Sequence, residues 1–227
     1  INLNPNNACN WRCIYCQVPD LKRGSAPRID LHKLEAELRS FLQALVHGDF
    51  MQTHVPVEAR KIHDIALSGN GEPTSAKEFE SVIELIGNIL KDFSALQDLK
   101  LVLNGEVWFK FDRALSAERQ RINNSPISLK KIRHHLQIVT SLCPTWLQTC
   151  LFQINGEPPG ELETEAYLKF IQSLKDEGLP LKGVLLYGIA RPSLQPEAYQ
   201  LTPVSESWLT AHGEKIKALG LAVKVNP

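Results

Sequence analysis

Apolar residues recur along the chain in two patterns, one typical of helices and one typical of strands. Stripes at helical spacing predict helices over residues 31–46, 76–92, 129–142, 161–177 and 206–219. Short apolar runs predict strands over residues 1–4, 62–67, 99–103, 107–112, 146–154, 183–187 and 221–225. Asp30 and Ser128 stand where helix N-caps are expected, and Gly178 stands where a glycine commonly ends a helix.

Strands and helices alternate along nearly the whole chain, which predicts an α/β protein whose parallel strands are joined by helices. Six or seven such strands fit either an open doubly wound sheet or a complete or partial (β/α) barrel. One place breaks the pattern, because strands 99–103 and 107–112 are too close for a parallel crossover. They form an antiparallel hairpin, or a crossover segment is missing near residues 103–105. The alternation elsewhere favours the missing segment.

Composition narrows the functional classes. The 227 residues carry 25 Lys and Arg against 25 Asp and Glu, so no net charge draws the chain toward nucleic acid or anionic lipid. No window of about 18 apolar residues predicts a membrane span. The five cysteines are an odd number, and their clustering suits metal binding in a reducing compartment such as the cytoplasm better than secreted disulfides.

Three of those cysteines, Cys9, Cys13 and Cys16, fall within eight residues just beyond the first predicted strand. Three thiolates on one loop can each hold one iron of a cubane cluster, and they leave the fourth iron open for chemistry. A zinc site is the alternative, but the nearest histidine downstream is His32, beyond zinc-finger spacing. A ferredoxin-like carrier would need a fourth cysteine close by, and none follows. The pattern therefore favours a cluster with an open iron.

Distinctive residues also follow other predicted strands. Residues 68–74 form a glycine-containing loop that permits close approach of a ligand. Lys110 and Asp112 end another strand, two residues apart and so on one face. Because both candidate folds collect chemistry at the carboxyl ends of their strands, we expect these loops to share one site.

The cysteine spacing with Tyr15 before Cys16, followed by the Gly71-Glu72-Pro73 loop, resembles the radical S-adenosylmethionine (SAM) superfamily from Asn2 to about Pro192. The resemblance implies a partial (β/α)6 TIM-type barrel over residues 1–192, with 193–227 as a helix–strand extension of the same domain. It implies a [4Fe–4S] cluster on Cys9, Cys13 and Cys16, with SAM on the open iron. It also implies an external one-electron reductant of the flavodoxin or ferredoxin type. A 5′-deoxyadenosyl radical would then take hydrogen from a substrate that the sequence does not identify.

The resemblance also assigns residues to the cofactor. Tyr15 would pack over the adenine, and the loop would receive the methionine amino group through its carbonyls and Glu72. That loop comprises Gly69, Asn70, Gly71, Glu72 and Pro73. Asn70 replaces a glycine common in the family, and asparagine tolerates left-handed backbone angles.

Further cofactor contacts are expected from the later strands. Lys110 would pair with the methionine carboxylate, and Asp112 would accept from an ammonium or a ribose hydroxyl. The adenine pocket would be lined by Ile154, Asn155, Gly156 and Tyr187. Cys150 is the one candidate for a catalytic role, as a substrate-facing thiol or hydrogen donor.

A finer resemblance points to the branch that contains wyosine-base tRNA synthases and their relatives. It rests on residues 68–74, 109–112, 121–123 and 190–192. Those synthases carry extra cysteines for a second cluster, whereas only Cys143 and Cys150 remain here. Modification of tRNA is therefore an alternative function, although nucleic acid is not the favoured partner. A non-catalytic, metal-stabilised module is the alternative from a different class.

Overall fold

A computed structural model describes residues 1–62, 64–93, 96, 100–101 and 106–227. The connection between Leu103 and Gly105 lies outside the described residues, and the missing segment stays a prediction. The chain forms two compact units. The first unit comprises Ile1–Asn10 with Gly24–Asn104, and the second comprises Trp11–Arg23 with Gly105–Pro227. Among the described residues, no helix has the length and apolar character that crossing a membrane requires.

The helices and strands follow the predicted order with several additions. The strands are β1 (Ala8–Cys9), β2 (Lys22–Arg23), β3 (Asp64–Ile65), β4 (Lys100–Leu101), β5 (Val107–Lys110), β6 (Thr145–Cys150), β7 (Phe152–Ile154), β8 (Leu181–Tyr187), β9 (Leu201–Pro203) and β10 (Val223–Asn226). The α-helices are α1 (Leu31–Val46), α2 (Phe50–His54), α3 (Phe79–Lys91), α4 (Ser116–Asn123), α5 (Leu129–Leu142), α6 (Glu161–Asp176) and α7 (Glu206–Lys217).

The first unit packs α1 and α3 on one apolar core. Helix α1 begins where predicted, because the Asp30 side chain accepts a hydrogen bond from the backbone N–H of Lys33. Strands β3 and β4 pair in parallel. The predicted strand over residues 1–4 is wrong in extent, since it contributes one isolated bridge between Asn2 and Ser68. The buried members of this core are Leu3, Leu38, Leu42, Ile65, Ala76, Val82, Ile86, Ile89, Phe93 and Leu96.

The second unit is built on a parallel four-stranded sheet in the order β10-β8-β6-β5. This sheet with its helices confirms the predicted α/β class. Ser128 caps α5 as predicted, by accepting from the Lys131 backbone N–H. Gly178 follows α6 with φ of 75°, the left-handed angle expected of a glycine that ends a helix. The core includes Leu136, Leu147, Ile171, Leu174, Val184, Leu186 and Leu209.

The predicted strand over residues 146–154 is wrong as a single strand. Strand β6 pairs in parallel with β8 up to Cys150, and β7 then pairs antiparallel with β9. Cys150 stands opposite Tyr187, the last residue of β8, so the parallel ladder has no partner beyond that point. An apolar run predicts a strand but does not show which strand it pairs with. The change of partner between β6 and β7 is therefore not visible in the sequence.

Glu106 joins three donors at the start of β5. Its carboxylate accepts from Lys182 Nζ at 2.8 Å, from Trp146 Nε1 at 3.0 Å and from Trp108 Nε1 at 3.1 Å. These hydrogen bonds, led by the one from Lys182, lower the pKa of Glu106 from 4.5 to about 2. The carboxylate form is therefore the one that the fold stabilises.

We expect Glu106→Gln to be less stable than the parent at neutral pH. Because the folded pKa is below the unfolded one, the Glu106 contribution is complete above pH 4.5 and is lost as the pH falls toward about 2. Urea unfolding at several pH values would measure this effect. The difference in free energy of unfolding between the parent and Glu106→Gln should shrink as the pH falls from 4.5 toward about 2. Glu165→Gln removes an exposed surface pair and should show no such pH-dependent gap.

Candidate functional site

The three clustered cysteines divide between the two units. Cys9 belongs to the first unit, and Cys13 and Cys16 belong to the second. None of the three is in a disulfide, and Cys13 is buried whereas Cys9 and Cys16 are partly exposed. Within the part of the chain that the structure describes, no three His, Cys, Asp or Glu side chains are arranged as a metal site. The donor set itself fits an iron–sulfur cluster, since three cysteines on one short segment are the ligands such clusters use.

The segment from Arg12 to Cys16 is held by the end of helix α4. The Arg12 backbone N–H donates to the Asn123 carbonyl at 3.2 Å, and the Ile14 N–H donates to the Ile122 carbonyl at 2.9 Å. A turn follows, in which the Cys16 N–H donates to the Cys13 carbonyl at 3.0 Å. Backbone hydrogen bonds thus fix the path of the chain that carries Cys13 and Cys16.

A second group of hydrogen bonds holds the same segment from residues 193–197. The Cys16 carbonyl accepts from Ser193 Oγ at 3.2 Å, from the Leu194 N–H at 3.0 Å and from Gln195 Nε2 at 3.2 Å. The single Ser193 hydroxyl hydrogen is shared with the Ile14 carbonyl, which lies closer, at 2.7 Å. Ser193 and Gln195 are both buried. We call residues 193–197 the clasp, because its side chains satisfy backbone groups of the cysteine segment.

The clasp also carries an ion pair to the start of that segment. Arg12 and Glu197 form two parallel hydrogen bonds, of 2.8 and 3.0 Å. The sequence pattern placed residues 193–197 only in the predicted helix–strand extension and did not indicate this role. Polar residues such as Ser193 and Gln195 alternate there with apolar ones, and nothing local says what they bind.

We expect Gln195→Leu to loosen the cysteine segment. Gln195 Nε2 donates to the carbonyls of both Cys16 and Val18, and leucine leaves those acceptors with fewer partners. Hydrogen exchange of the amides from Ile14 to Val18 should therefore accelerate. Gln172→Leu removes an exposed hydrogen bond on α6 and should leave their exchange unchanged. Equal exchange in the parent and Gln195→Leu would contradict the assigned role.

In the first unit, the Gly69–Pro73 loop lies against the residues before Cys9. A Cβ atom on Gly71 would stand 2.1 Å from the Ala8 carbonyl oxygen, so only glycine permits this approach. Asn70 does not use a left-handed backbone; its side-chain amide donates to Asn7 Oδ1 at 2.7 Å. The loop and the cysteine strand β1 are therefore in direct backbone contact.

Glu72 and Pro73 shape the end of that loop. The Glu72 carboxylate accepts from the Thr74 hydroxyl at 2.8 Å and from the Thr74 N–H at 3.2 Å. It caps the short 3-10 turn Pro73–Ser75. The structure thus gives Glu72 a local role, and its predicted contact with a methionine amino group stays a prediction.

We expect Gly71→Ala to lower the free energy of unfolding of the first unit by about 1–3 kcal/mol, the range for overpacking. The new methyl group would overlap the Ala8 carbonyl and force β1 to move. Gly87→Ala is the matched control, because a Cβ there meets nothing within 4 Å and lies in the interior of α3. That control should gain up to about 1 kcal/mol from the better helix propensity of alanine. Denaturant unfolding of both variants would measure the contrast.

A buried polar network in the second unit contains three of the predicted cofactor residues. Tyr15 Oη donates to Asp112 Oδ2 at 2.5 Å, and Lys110 Nζ lies 3.3 Å from the same oxygen and within hydrogen-bond reach of Tyr15 Oη. Asp112 Oδ1 accepts from the Cys150 backbone N–H at 3.0 Å. The structure thus brings Tyr15, Lys110 and Asp112 together, and their separate contacts with the cofactor stay predictions.

Lys110 and Asp112 each stabilise the charged form of the other. Burial alone would raise the Asp112 pKa, but the Lys110 ammonium and the Tyr15 hydroxyl lower it below its ordinary value. Burial alone would lower the Lys110 pKa, and the Asp112 carboxylate raises it well above its ordinary value. Both groups are therefore charged at neutral pH.

Asn123 completes the network and was missed as a site residue. Its side-chain Nδ2 donates to Asp112 Oδ2 at 2.7 Å and to Cys13 Sγ at 3.3 Å. It is the last residue of α4, a helix that the sequence pattern did not predict because Ser116–Asn123 has no apolar stripe. Residues 121–123 were noted only as part of the wyosine-branch resemblance.

Burial favours the neutral thiol form of two cysteines in this region, Cys13 and Cys150. Burial raises the pKa of Cys13 to about 11, although Lys110 and the Asn123 hydrogen bond act in the opposite direction. Burial raises the pKa of Cys150 further still, with the Asp112 charge adding to it. Cys150 Sγ contacts the Gly188 carbonyl at 4.0 Å, beside Tyr187, so these two predicted residues are neighbours.

A cavity of about 260 Å³ opens beside the loop that follows β7. Ile154 and Asn155, two of the predicted adenine residues, line it, and Gly156 does not. Asn155 and Gly156 both have left-handed backbone angles, with φ of 54° and 83°. The other lining residues are Arg113, Arg121, Ile122, Phe152, Glu157, Pro158, Pro159, Gly160 and Glu163.

The chain was compared with protein-family models, with curated proteins and with solved structures. No protein-family model matches the chain. GTP 3′,8-cyclase 3 of Mycobacterium bovis and of Mycobacterium tuberculosis is 31% identical to it over 134 residues. That match covers 59% of this chain and 31% of each relative, so the match spans about a third of the relatives' length.

A solved structure extends the comparison to nearly the whole chain. A radical SAM methyltransferase from Sphaerobacter thermophilus matches with a TM-score of 0.58 and 12% identity, over 96% of this chain and 64% of that one. At this identity the match shows the fold, which is similar to a radical SAM fold and consistent with the predicted partial barrel. Neither comparison confirms the wyosine-synthase branch. The match to the cyclases thus covers part of the chain, and the match to the methyltransferase shows a fold shared over nearly all of it.

Proposed function

We propose that this chain is the cofactor-binding core of a radical SAM enzyme. Cys9, Cys13 and Cys16 would hold a [4Fe–4S] cluster, and SAM would bind at the iron that they leave free. When bound, this pair supplies reductive cleavage of the sulfonium to a 5′-deoxyadenosyl radical, which takes hydrogen from the substrate. The electron would come from an external flavodoxin- or ferredoxin-like protein.

The observation that carries the proposal is the way in which the segment with Cys13 and Cys16 is held. Backbone groups on both sides of Cys13 bond to the end of α4, and the Cys16 carbonyl accepts three hydrogen bonds. A flexible loop would lose more conformational entropy on binding a cluster than a segment whose path is already fixed. This arrangement suits ligands that must stand close together at one inorganic centre.

The contacts of Lys110 and Asp112 in the buried polar network support a role for both residues in cofactor binding. The Lys110 ammonium is 24% exposed, so it can attract a carboxylate such as that of methionine while Asp112 holds its position. Asp112 is fully buried at its side chain and serves chiefly to fix Lys110, Tyr15 and Asn123. The Tyr15 ring stands 5.2 Å from that of Phe152, which supports it as an apolar surface for a base.

Cys150 is proposed as a hydrogen donor only in its thiol form. Burial keeps the pKa of this group above its ordinary value, so the S–H bond is intact at neutral pH. The residue would give its hydrogen atom to the substrate radical, so that a C–H bond forms as the S–H bond breaks, rather than act as a nucleophilic thiolate. The thiyl radical left on Cys150 would return to the thiol by taking one electron from the external reductant and a proton from solvent. None of the five cysteines is in a disulfide, which also suits a reducing compartment, and we propose the cytoplasm as the place of action.

Anaerobic reconstitution tests the proposed function. The protein incubated with iron and sulfide should bind about four irons per chain. Dithionite and SAM should then yield 5′-deoxyadenosine. Purified protein that contains zinc, binds no cluster and forms no 5′-deoxyadenosine would favour the non-catalytic metal module instead.

A further inference from the structure

The amide of Asn123 is placed between a buried carboxylate and a sulfur that the proposed function assigns to the cluster. Asn123 is 1% exposed, and its Nδ2 donates to Asp112 Oδ2 at 2.7 Å and to Cys13 Sγ at 3.3 Å. The side-chain NH₂ group has two hydrogens, and these two bonds use both of them.

Asp112 decides which end of the amide faces the sulfur. Lys110 Nζ lies 3.3 Å from Asp112 Oδ2, so the carboxylate is paired with a cation, and an ionised carboxylate can only accept hydrogen bonds. Asn123 must therefore turn its NH₂ group, and not its carbonyl oxygen, toward Asp112. The second N–H then points at Cys13 Sγ as a consequence of that orientation.

The main chain prevents the amide from moving away from Cys13. The Asn123 carbonyl accepts from the Arg12 N–H at 3.2 Å, so the residue holds the cysteine segment through its backbone as well. Asn124 follows with φ of 49° and ψ of 41°, a left-handed angle that ends α4 at this position. The donor is thus rigid in its relation to the sulfur.

We propose that Asn123 is a positioning residue that sets the reduction potential of the cluster through its N–H···S hydrogen bond to Cys13. Hydrogen bonds to cluster sulfurs are one determinant of cluster potential. A reduced cluster carries one more negative charge than the oxidised one, so a donor at the sulfur stabilises the reduced form more strongly. The hydrogen bond therefore raises the potential, and it eases delivery of the electron by an external reductant. This inference rests on the proposed cluster at Cys9, Cys13 and Cys16.

Potentiometric titration of the reconstituted protein tests the inference. Asn123→Leu keeps the approximate side-chain volume and removes both donors. Its cluster should form with about four irons per chain and should have a more negative midpoint potential than the parent. Asn123→Ser, which cannot reach the sulfur in the same way, should shift the potential in the same direction and provides a second variant if leucine does not fold.

The neighbouring asparagine supplies a matched control. Glycine accepts the left-handed angle of Asn124, and the Asn124 side chain accepts a hydrogen bond from exposed Gln120, away from Cys13. Asn124→Gly should therefore keep the parent potential. A full cluster at the parent potential in the Asn123 variants would overturn the inference, and so would folded Asn123 variants that bind no iron, since Asn123 would then hold the cluster and not tune it. Failure of the parent itself to bind iron would count against the proposed function rather than against the hydrogen bond.

Discussion

Replacing Cys13 with alanine should abolish cluster binding, and this is the largest effect that we expect on function. Reconstituted iron should fall from about four atoms per chain to well below one, because two remaining thiolates cannot hold a cubane securely. Formation of 5′-deoxyadenosine should fall with it. Iron analysis and the visible absorption of the cluster would measure the loss.

Cys143→Ala is the matched control for that experiment. Cys143 is a free, partly exposed thiol directly after α5, outside the clustered triad. Its removal should leave both the iron content and the 5′-deoxyadenosine yield at the parent level. Retention of four irons in Cys13→Ala, or their loss in Cys143→Ala, would assign the cluster to other ligands.

Replacing Asp112 with asparagine should have the largest effect on stability. Asp112 accepts hydrogen bonds from Tyr15, Asn123 and the Cys150 N–H, and it balances the Lys110 charge. An amide at this position can accept at only one of its two ends and leaves the Lys110 charge unpaired. Removing one partner of a buried ion pair costs about 3–5 kcal/mol, and the partial exposure of Lys110 places our expectation at about 3 kcal/mol.

A double-mutant cycle separates the charge from the hydrogen bonds. Lys110→Met combined with Asp112→Asn should recover part of the loss, because no unpaired charge then remains. Glu37→Gln, which breaks an exposed pair with Lys33, should change stability by less than about 0.5 kcal/mol. Additive effects of the two network substitutions would contradict the coupling of Lys110 to Asp112.

The fold was largely predictable because its elements follow local patterns. Helix α1 and helix α5 begin after the predicted caps, since each cap bonds to a backbone N–H only three residues away. The elements that were missed lack such signals. Helix α4 has no apolar stripe, and β7 continues the apolar run of β6 although it pairs with a different strand.

In the candidate site, too, some features follow from local sequence patterns and others do not. The sequence by itself determined the cysteine triad, the Gly69–Pro73 loop and the Lys110 and Asp112 pair, because the spacing of these residues carries the information. Only the tertiary structure decided that Asn123 donates to Cys13, across 110 residues of sequence, and that Ser193 donates to Ile14, across 179. Such contacts depend on where packed helices and strands end in space. Core packing and strand pairing set those positions, and the residues that form the contacts carry no local pattern of their own.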